Sequence, residues 1–407
     1  MAEPTRAAPD LADIRAAREL LRGVTIETPV ETSRWLSQLV GAPVLLKCEN
    51  LQRTGSFKSR GAYVRISRLT DAERACGVVA ASAGNHAQGV ALAASLMGAN
   101  ATVFMPDGAA IPKERATRGY GAEVIFAGPT VDDCLAAAAE HAERTGAVLI
   151  HPFDHPDVIA GQGTAGLEIL EQVPEVRTVL VPVGGGGLLA GVALAIKASR
   201  PDVRVIGIQA AGAASYPASL DAGHPIALEA MRTMADGIAV GVPGTLPFSI
   251  IREHVDEIRT VSEESISRAL LALMERAKLV VEPAGAVGVA ALLDDPGAFE
   301  GPVAVLLSGG NIDPLLLTKV IRHGLIADSR YLVLRIVLPD APGALAGLTA
   351  LVAQAGANVV HVSHGRADPS LTLGDVEVLL QLETRGRKHA DSLMDLLAQN
   401  GYRADHA

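Results

Sequence analysis

The stretch GVVAASAGNHAQG, residues 77–89, contains the unit from which the fold is built. A short apolar run from Gly77 to Ala81 predicts a buried strand, a turn of small residues follows it, and Val90 to Met97 continues as an apolar helix. The same order of strand, glycine turn and helix returns in TVLVPVGGGGLLAGVALAIKAS, residues 178–199. Because alternating strands and helices are typical of open, mostly parallel sheets, we predict an α/β fold.

The composition bounds the class of protein. With 407 residues, 49% hydrophobic and 20% charged, the chain is too long for one small domain and too apolar to be disordered. A net charge of −10 and the lack of a basic run argue against a nucleic-acid partner. No stretch reaches the roughly 18 apolar residues of a membrane span, and no secretory signal begins the sequence. We therefore expect a cytoplasmic protein that binds no membrane.

Three cysteines, Cys48, Cys76 and Cys134, lie far apart and fit no metal spacing. We interpret them as reduced, small, buried residues. Asp10 and Ser262 are predicted N-caps of helices, and the second helix is predicted to run to Lys278.

A break near residues 327–330 separates a smaller C-terminal region. Its pattern predicts the order β-α-β-β-α, which becomes ferredoxin-like if a short last strand exists at Tyr402. We predict one domain over residues 1–327, with a smaller subdomain inserted at about 77–154, and a second domain over 330–407.

One lysine is a candidate for covalent chemistry. Lys58 lies in TGSFKSRGA, residues 54–62, behind Phe57 and near the start of a predicted helix. A lysine amine forms a Schiff base with an aldehyde when its pKa is lowered and the aldehyde is held in place. Taken alone, a lysine between serine and arginine is more often a solvated residue, so the rest of the chain has to supply the binding site.

Three glycine turns follow apolar runs and supply it. The four consecutive glycines at 184–187 lie between a strand and a helix, where converging N–H groups bind phosphate. They match neither the Walker nor the Rossmann pattern, which disfavours a nicotinamide-dependent dehydrogenase. The turn at Ser82–His86 suits a carboxylate, and Asn85 can donate to a phenolate oxygen; His86 alone is most simply a helix residue bonded locally. Ser308–Asn311 is the third turn, and in open α/β folds such turns face one crevice.

A phosphate site, a carboxylate site and a Schiff-base lysine together describe a pyridoxal phosphate site that acts on an amino acid. At this point the sequence resembles a known family. The segments SFKSRGA (56–62), SAGNHAQG (82–89), VGGGGL (183–188) and SGGN (308–311) are similar to those of the threonine dehydratase group. These are fold-type II pyridoxal phosphate enzymes with two open α/β subdomains, related to serine racemase and the tryptophan synthase β chain. The resemblance covers about residues 10–325.

The resemblance implies a role for each matched residue. Lys58 would bind the aldehyde of pyridoxal 5′-phosphate and remove the substrate Cα proton. The implied cofactor-binding residues are Phe57, Lys58, Asn85, Gly184, Gly185, Gly186, Gly187, Gly237, Glu282 and Ser308. The implied substrate-binding residues are Ser82, Ala83, Gly84 and His86. Within the first set, Phe57 would pack on the ring, Asn85 would bond its O3′, and Ser308 would face its nitrogen.

The implied reaction is deamination of L-threonine to 2-oxobutanoate and ammonia by α,β-elimination of water, with L-serine as a secondary substrate. The serine racemase pattern has a second serine where this chain has Ala83, which favours elimination over racemisation. No metal site is predicted, because Gln209 and Ser215 replace the acidic residues that hold a cation in related enzymes. Serine dehydratase, serine racemase and 3-hydroxyaspartate dehydratase remain alternatives, as does a non-catalytic amino-acid sensor.

The segment LPDAPGAL, residues 338–345, resembles the first turn of an ACT domain, a small regulatory module that binds amino acids. This resemblance implies allosteric control by an end product of isoleucine biosynthesis, with isoleucine or valine as the effector and Asn358 as the first candidate contact. A plain oligomerisation domain is the alternative. Because such modules pair, we expect a homodimer or homotetramer.

Overall fold

The computed structural model describes residues 7–365 and 372–406. The predicted loose arm at residues 1–9 lies largely outside the described residues. The chain divides into two compact units, one up to Asp313 and one from Pro314 onward.

The first unit is an alternation of helices and strands. Its helices are α1 (Leu11–Leu21), α2 (Arg34–Val40), α3 (Lys58–Ser67), α4 (Asp71–Cys76), α5 (Asn85–Leu96), α6 (Ile111–Gly119), α7 (Val131–Thr145), α8 (Pro156–Gln172), α9 (Gly187–Ser199), α10 (Ser215–Ala222), α11 (Thr245–His254), α12 (Glu263–Ala272) and α13 (Pro283–Asp294). Its strands are β1 (Val30–Thr32), β2 (Val44–Lys47), β3 (Val78–Ala81), β4 (Ala101–Met105), β5 (Glu123–Phe126), β6 (Val148–Leu149), β7 (Thr178–Pro182), β8 (Arg204–Ala210), β9 (Glu257–Val261) and β10 (Val303–Leu306).

The larger sheet of this unit has the order β1-β2-β10-β7-β8-β9. Only its edge strand β1 is antiparallel to its neighbour; the other pairs are parallel. Every residue of β7 is buried, because helices cover both faces of the sheet. Continuous apolar runs such as Val179–Val181 are therefore what the sequence has to supply here.

The smaller sheet has the order β5-β4-β3-β6, and all its pairs are parallel. Its strands run from residue 78 to residue 149, and α5 and α7 pack against β3 and β4. The fold class predicted from the sequence is confirmed: the unit contains two open, largely parallel α/β sheets.

Local sequence signals determine several helix ends. Asp10 forms a capping box with Asp13, and the Ser262 side chain accepts a hydrogen bond from the N–H of Ser265, so both predicted N-caps are confirmed. The prediction of one helix up to Lys278 was wrong. The α-helix ends at Ala272 and a π-helical turn continues to Ala277, because a wider turn keeps nearly the same apolar periodicity.

The cysteines are free thiols, as predicted. Cys48 and Cys134 are buried, whereas Cys76 is exposed, so the prediction of a buried side chain was wrong at this position. Cys76 is the last residue of α4, a short helix without buried residues that lies on the surface.

The second unit consists of α14 (Pro314–Ala327), β11 (Tyr331–Pro339), α15 (Ala344–Gln354), β12 (Asn358–Gly365), β13 (Asp375–Glu383), α16 (Arg387–Gln399) and β14 (Ala404–His406). Its sheet is antiparallel with the order β12-β13-β11-β14. Alternate residues of β11 and β13 are buried, and Leu348, Leu393 and Leu397 complete the core. The short last strand exists just after Tyr402, which gives the ferredoxin-like order. No helix among the described residues is long and apolar enough to cross a membrane.

Candidate active site

Lys58 is the first residue of α3, at a point where both sheets of the first unit end. The N–H of Phe57 donates to the carbonyl of Ser308, 3.1 Å away, just beyond the carboxyl end of β10. The Lys58 amine donates to the carbonyl of Pro152, 2.9 Å away, shortly after β6 in the smaller sheet. The lysine therefore joins the carboxyl ends of the two sheets, where open α/β folds bind ligands.

The environment of Lys58 makes its amine a nucleophile. Burial lowers the pKa of the Lys58 amine to about 8, against the attraction of the Glu282 carboxylate. The Cα of Gly89 carries no side chain where α5 crosses α3, and a Cβ there would lie 3.0 Å from the Lys58 carbonyl carbon. A substantial fraction of this amine is neutral near physiological pH, as attack on an aldehyde requires.

Asn85, the first residue of α5, belongs to a chain of amide and carboxyl groups. Its Nδ2 donates to Glu282 Oε1 at 2.6 Å, and its Oδ1 accepts from Asn311 Nδ2 at 2.8 Å. Asn311 Nδ2 also donates to the carbonyl of Thr54 at 2.7 Å. These contacts determine the orientation of the Asn85 amide and leave its second N–H available to an acceptor in the cleft.

Glu282, which precedes α13, is an unusual carboxyl group. It is 2% exposed, and its Oε2 has no hydrogen-bond partner among the described residues. Burial, with Asp236 nearby, raises the pKa of Glu282 to about 7, while Lys113, Asn85 and Lys58 act in the opposite direction. Near neutral pH this carboxyl group is therefore divided between its two protonation states.

The glycine run lies between β7 and α9, as the sequence predicted. A Cβ on Gly185 would lie 2.4 Å from the Phe153 ring, and one on Gly187 would lie 2.8 Å from the Phe153 carbonyl oxygen. Gly186 has φ +99° and would collide with the Tyr216 hydroxyl. Across the described residues, the N–H groups of residues 184–186 donate no hydrogen bond, and they lie at the N-terminus of α9. This is the arrangement of an anion site.

The turn at residues 82–84 follows β3 and leads into α5. The N–H of Gly84 donates to Ser82 Oγ at 3.1 Å, which closes the turn with Ala83 between them. A side chain on Gly84 would meet the Lys113 amine, because a Cβ there would lie 3.4 Å from Lys113 Nζ. Lys113 Nζ forms an ion pair with Asp236 Oδ2 at 2.5 Å, so a buried cation lies beside the turn predicted to bind a carboxylate.

His86 differs from its expected environment. The prediction of a local hydrogen bond was wrong: its Nε2 lies 2.8 Å from the carbonyl of Ile150, which is distant in sequence. Burial lowers the pKa of His86 to about 3, and the nearby Lys58 lowers it further. The ring is therefore neutral, with Nε2 donating to Ile150, and it ties α5 to the end of β6.

Gly237 and Ser308 line the same cleft. The turn Asp236–Ile238 packs between two predicted elements: a Cβ on Gly237 would lie 3.4 Å from Glu282 Oε1, and one on Gly184 would lie 2.9 Å from the Ile238 Cα. Ser308 is 2% exposed, and its hydroxyl makes no hydrogen bond within the described part of the chain. The structure thus brings the predicted residues of all three turns around Lys58.

Two features were missed from the sequence. Lys113 carries no sequence signal, since a lysine near the start of a helix is usually solvated. The segment His151–Asp154 could have been found, because it follows a predicted strand, Ala147–Ile150, as the other turns follow theirs. Its contacts with Lys58 and the glycine run make it part of the site.

The residues present fit pyridoxal 5′-phosphate. The site offers a lysine amine with a lowered pKa, unbonded N–H groups at a helix N-terminus, a fixed amide and an unpaired serine hydroxyl. A cofactor with an aldehyde, a phosphate and a phenolate oxygen has a matching group for each. In the part of the chain that the structure describes, no cluster of His, Cys, Asp or Glu could hold a metal ion.

The fold and the site define a pyridoxal-phosphate dependent enzyme with a C-terminal regulatory module. The family model "Pyridoxal-phosphate dependent enzyme" matches residues 21–309, and the ACT domain model matches residues 332–399. The chain belongs to this family of pyridoxal-phosphate dependent enzymes and carries an ACT domain.

Similar proteins narrow the family further. The chain is 47% identical to an L-threonine ammonia-lyase of Thermotoga maritima, over 96% of this chain and 98% of that protein. A solved threonine deaminase, from the source abbreviated T.th., is 47% identical, with a TM-score of 0.72 over 75% of this chain and 99% of its own. Maize serine racemase is 37% identical, with a TM-score of 0.74 over 79% of this chain and 99% of its own.

Proposed function

We propose that this protein is an L-threonine ammonia-lyase, which converts L-threonine to 2-oxobutanoate and ammonia and accepts L-serine as a secondary substrate. The observation that carries the proposal is the Lys58 amine, with its pKa lowered to about 8 between a glycine-rich anion site and a carboxylate turn. Similarity along almost the whole length of a threonine ammonia-lyase supports the choice of substrate.

The cofactor supplies the electron withdrawal that makes the substrate Cα proton acidic. Lys58 would bind its aldehyde and afterwards hold the Cα proton on Nζ. The N–H groups of residues 184–187 would hold its phosphate, and Asn85 would donate to its phenolate oxygen. Phe57, one residue before the lysine, would pack on the ring. Gly237 and Glu282 would complete the wall of the site.

Ser308 would face the ring nitrogen of the cofactor. A hydroxyl group does not force that nitrogen to be protonated, as a carboxylate would. Electron withdrawal is then moderate, which suits a rapid loss of the β-hydroxyl group rather than a long-lived carbanion.

The substrate carboxylate would bind in the turn Ser82–Gly84, with His86 behind it. The ammonium group of Lys113 beside Gly84 adds positive potential on that side. Ala83 has no ionisable atom, so no second base faces the substrate from this turn. This supports elimination over racemisation.

Removal of Lys58 tests the proposal. In Lys58→Ala we expect no measurable 2-oxobutanoate from L-threonine and no absorbance band of covalently bound cofactor, because no other amine is positioned to replace it. The matched control is Lys388→Ala at an exposed lysine of α16, which should keep both. Threonine turnover at the wild-type rate in Lys58→Ala would refute the role of this residue.

A substrate panel separates the proposed activity from its alternatives. Keto-acid release is measured with L-threonine, L-serine and 3-hydroxyaspartate, and chiral analysis detects D-serine. We expect the highest kcat/KM with threonine and no D-serine. A preference for serine or 3-hydroxyaspartate would assign the chain to another activity of the family. Cofactor binding without turnover of any substrate would indicate an amino-acid sensor.

We propose that the ACT domain binds an amino-acid effector, isoleucine or valine, and that Asn358 at the start of β12 contributes to the site. We also propose a cytoplasmic homodimer or homotetramer, with a catalytic domain over residues 1–327 and a regulatory domain over 330–407. The match to the ACT family supports amino-acid binding by the second unit.

A further inference from the structure

The turn HPFD, residues 151–154, touches every part of the proposed cofactor site, although none of its residues belongs to a recognised motif. It follows β6, the edge strand of the smaller sheet, and precedes α8. Immediately before it, the carbonyl of Ile150 accepts the hydrogen bond from His86 Nε2 at 2.8 Å. The turn is therefore fixed at its start to the helix that carries Asn85.

The middle of the turn determines the position of the reactive amine. The Pro152 carbonyl, 2.9 Å from Lys58 Nζ, is the hydrogen-bond acceptor of this amine. Since Lys58 Nζ lies at the end of a flexible side chain, a single fixed acceptor determines where this nitrogen lies before it reacts.

The second half of the turn supports the anion site. The Phe153 ring and carbonyl lie against Gly185 and Gly187, close enough that neither glycine could carry a Cβ. The Asp154 carboxylate accepts hydrogen bonds from the N–H groups of Thr245 and Leu246, at 2.9 and 3.0 Å, and so caps α11. The preceding residue, Gly244, donates to the Gly185 carbonyl at 3.0 Å.

The shape of the turn depends on one side chain. His151 Nδ1 accepts hydrogen bonds from the N–H of Asp154 at 2.8 Å and from the N–H of Phe153 at 3.3 Å. Its ring also packs edge-on against the Phe153 ring, with centroids 4.7 Å apart. The imidazole thus satisfies both N–H groups of the turn and fixes the ring that closes the glycine run.

We propose that His151 is a positioning residue of this enzyme. By accepting two N–H groups at Nδ1, it holds the turn so that the Pro152 carbonyl faces Lys58 and the Phe153 ring supports the phosphate site. Both covalent capture of the cofactor and binding of its phosphate then depend on a residue that touches neither group.

The charges around His151 favour the neutral ring that this role requires. Burial lowers the pKa of His151, and the ammonium group of Lys58 lowers it further, whereas Asp154 raises it. The other titratable group that interacts with it is His86, which is itself neutral. A neutral ring with Nδ1 as acceptor carries its proton on Nε2.

Three substitutions test the role of Nδ1. Asparagine can accept the same N–H two residues on in an Asx turn, whereas glutamine places its oxygen too far out and alanine has none. We therefore compare His151→Asn, His151→Gln and His151→Ala, with His224→Asn at an exposed histidine as control. Each apoprotein is titrated with pyridoxal 5′-phosphate, and the absorbance of the bound cofactor gives its Kd; melting temperatures are measured alongside.

We expect the Kd of the cofactor to rise about tenfold or more in His151→Ala and His151→Gln, as the loss of two backbone hydrogen bonds implies. His151→Asn should stay within about threefold of the wild type. If His151→Ala does not fold, the comparison of Asn with Gln remains decisive. Equal losses in Asn and Gln, or wild-type Kd values in Gln and Ala, would overturn the proposal.

This inference rests on the assignment of Lys58 and the glycine run to the cofactor, and the two can fail separately. Normal covalent cofactor binding in Lys58→Ala would refute the assignment of the lysine. Normal cofactor binding in His151→Gln, with Lys58→Ala inactive, would refute the positioning role alone.

Discussion

At the scale of single residues, the site contains a carboxyl group and an amine whose pKa values approach each other. Burial raises the pKa of Glu282 to about 7 and lowers that of Lys58 to about 8. In both cases the shift favours the neutral form, as expected for groups removed from water. Their mutual attraction opposes both shifts, so loss of one charge affects the other.

Glu282 should make the stability of the apoprotein depend on pH in a defined direction. Its pKa in the folded state, about 7, is above the roughly 4.3 of an unfolded glutamate, so the folded state binds this proton more tightly. The resulting stabilisation is complete below about pH 4 and is lost as the pH rises towards 7. It amounts to about 3 kcal/mol at most.

The measurement compares melting temperatures of cofactor-free wild type and Glu282→Gln between pH 4.5 and 8. Glutamine keeps an acceptor for Asn85 but cannot ionise. We expect the wild type to lose stability relative to the variant as the pH rises through this range. Effects of His86 are present in both proteins and cancel. A pH-independent difference between the two proteins would contradict the assigned pKa.

Ala83 determines the stereochemical outcome. Substitution of a serine at this position would place a hydroxyl group in the turn next to Ser82 and Gly84, where it can exchange a proton with Cα from the face opposite Lys58. We expect Ala83→Ser to form D-serine from L-serine at a rate at least about tenfold above the wild type, because a positioned base accelerates proton transfer. Chiral chromatography of the reaction mixture measures this. The control Ala83→Thr adds bulk as well as a hydroxyl group.

At the scale of secondary-structure elements, the helix that begins with Lys58 is fixed by buried charges. Arg60 donates to both carboxylate oxygens of Glu49, each at 2.8 Å, and to both oxygens of Glu168 in α8, at 2.6 and 2.9 Å. Lys47 in β2 donates to Glu168 as well, at 2.5 Å. All four side chains are at most 7% exposed. This network joins the start of α3 to a strand and a helix of the larger sheet.

Removal of Arg60 should therefore destabilise the protein strongly. Arg60→Leu leaves the Glu49 carboxylate without its charged partner in the interior, for which we expect a loss of about 3–5 kcal/mol in the free energy of unfolding. The matched control is Arg22→Leu, which breaks an exposed pair with Glu19 and should cost less than about 1 kcal/mol. Denaturant unfolding of both variants measures the difference. Equal losses would show that burial of the network contributes nothing.

The elements were predictable from the sequence where one physical requirement dominates. Strands such as β3 and β7 are buried on both faces and so are apolar throughout, and the turn at residues 184–187 needs glycine at each position. Contacts between distant segments were not predictable. The pairing of His86 with Ile150 and of Lys113 with Asp236 depends on how the two sheets are placed, which no local pattern specifies.

At the scale of the whole molecule, the chain combines a complete catalytic unit with an ACT domain. In the second unit, Asn358 lies at the start of β12, an edge strand of the antiparallel sheet, and its Nδ2 is 3.4 Å from Glu383 Oε2 on β13. Most side chains of β12 are exposed, so a ligand or another chain can reach this edge. An amide at that position can both donate to a carboxylate and accept from an ammonium group, which are the two groups that every amino-acid effector presents.

If Asn358 contributes to effector binding, its removal should weaken regulation without changing catalysis. We expect isoleucine or valine to alter the threonine dependence of the wild-type rate, and Asn358→Ala to raise the effector concentration for half-maximal response about tenfold, since a bond to a charged group is lost. Turnover without effector should remain that of the wild type. Arg403→Ala, at a residue whose side chain is 92% exposed, is the control and should respond normally. Rate measurements across a matrix of threonine and effector concentrations distinguish the cases. If neither amino acid changes the rate or binds in calorimetry, the ACT domain of this chain serves oligomerisation alone.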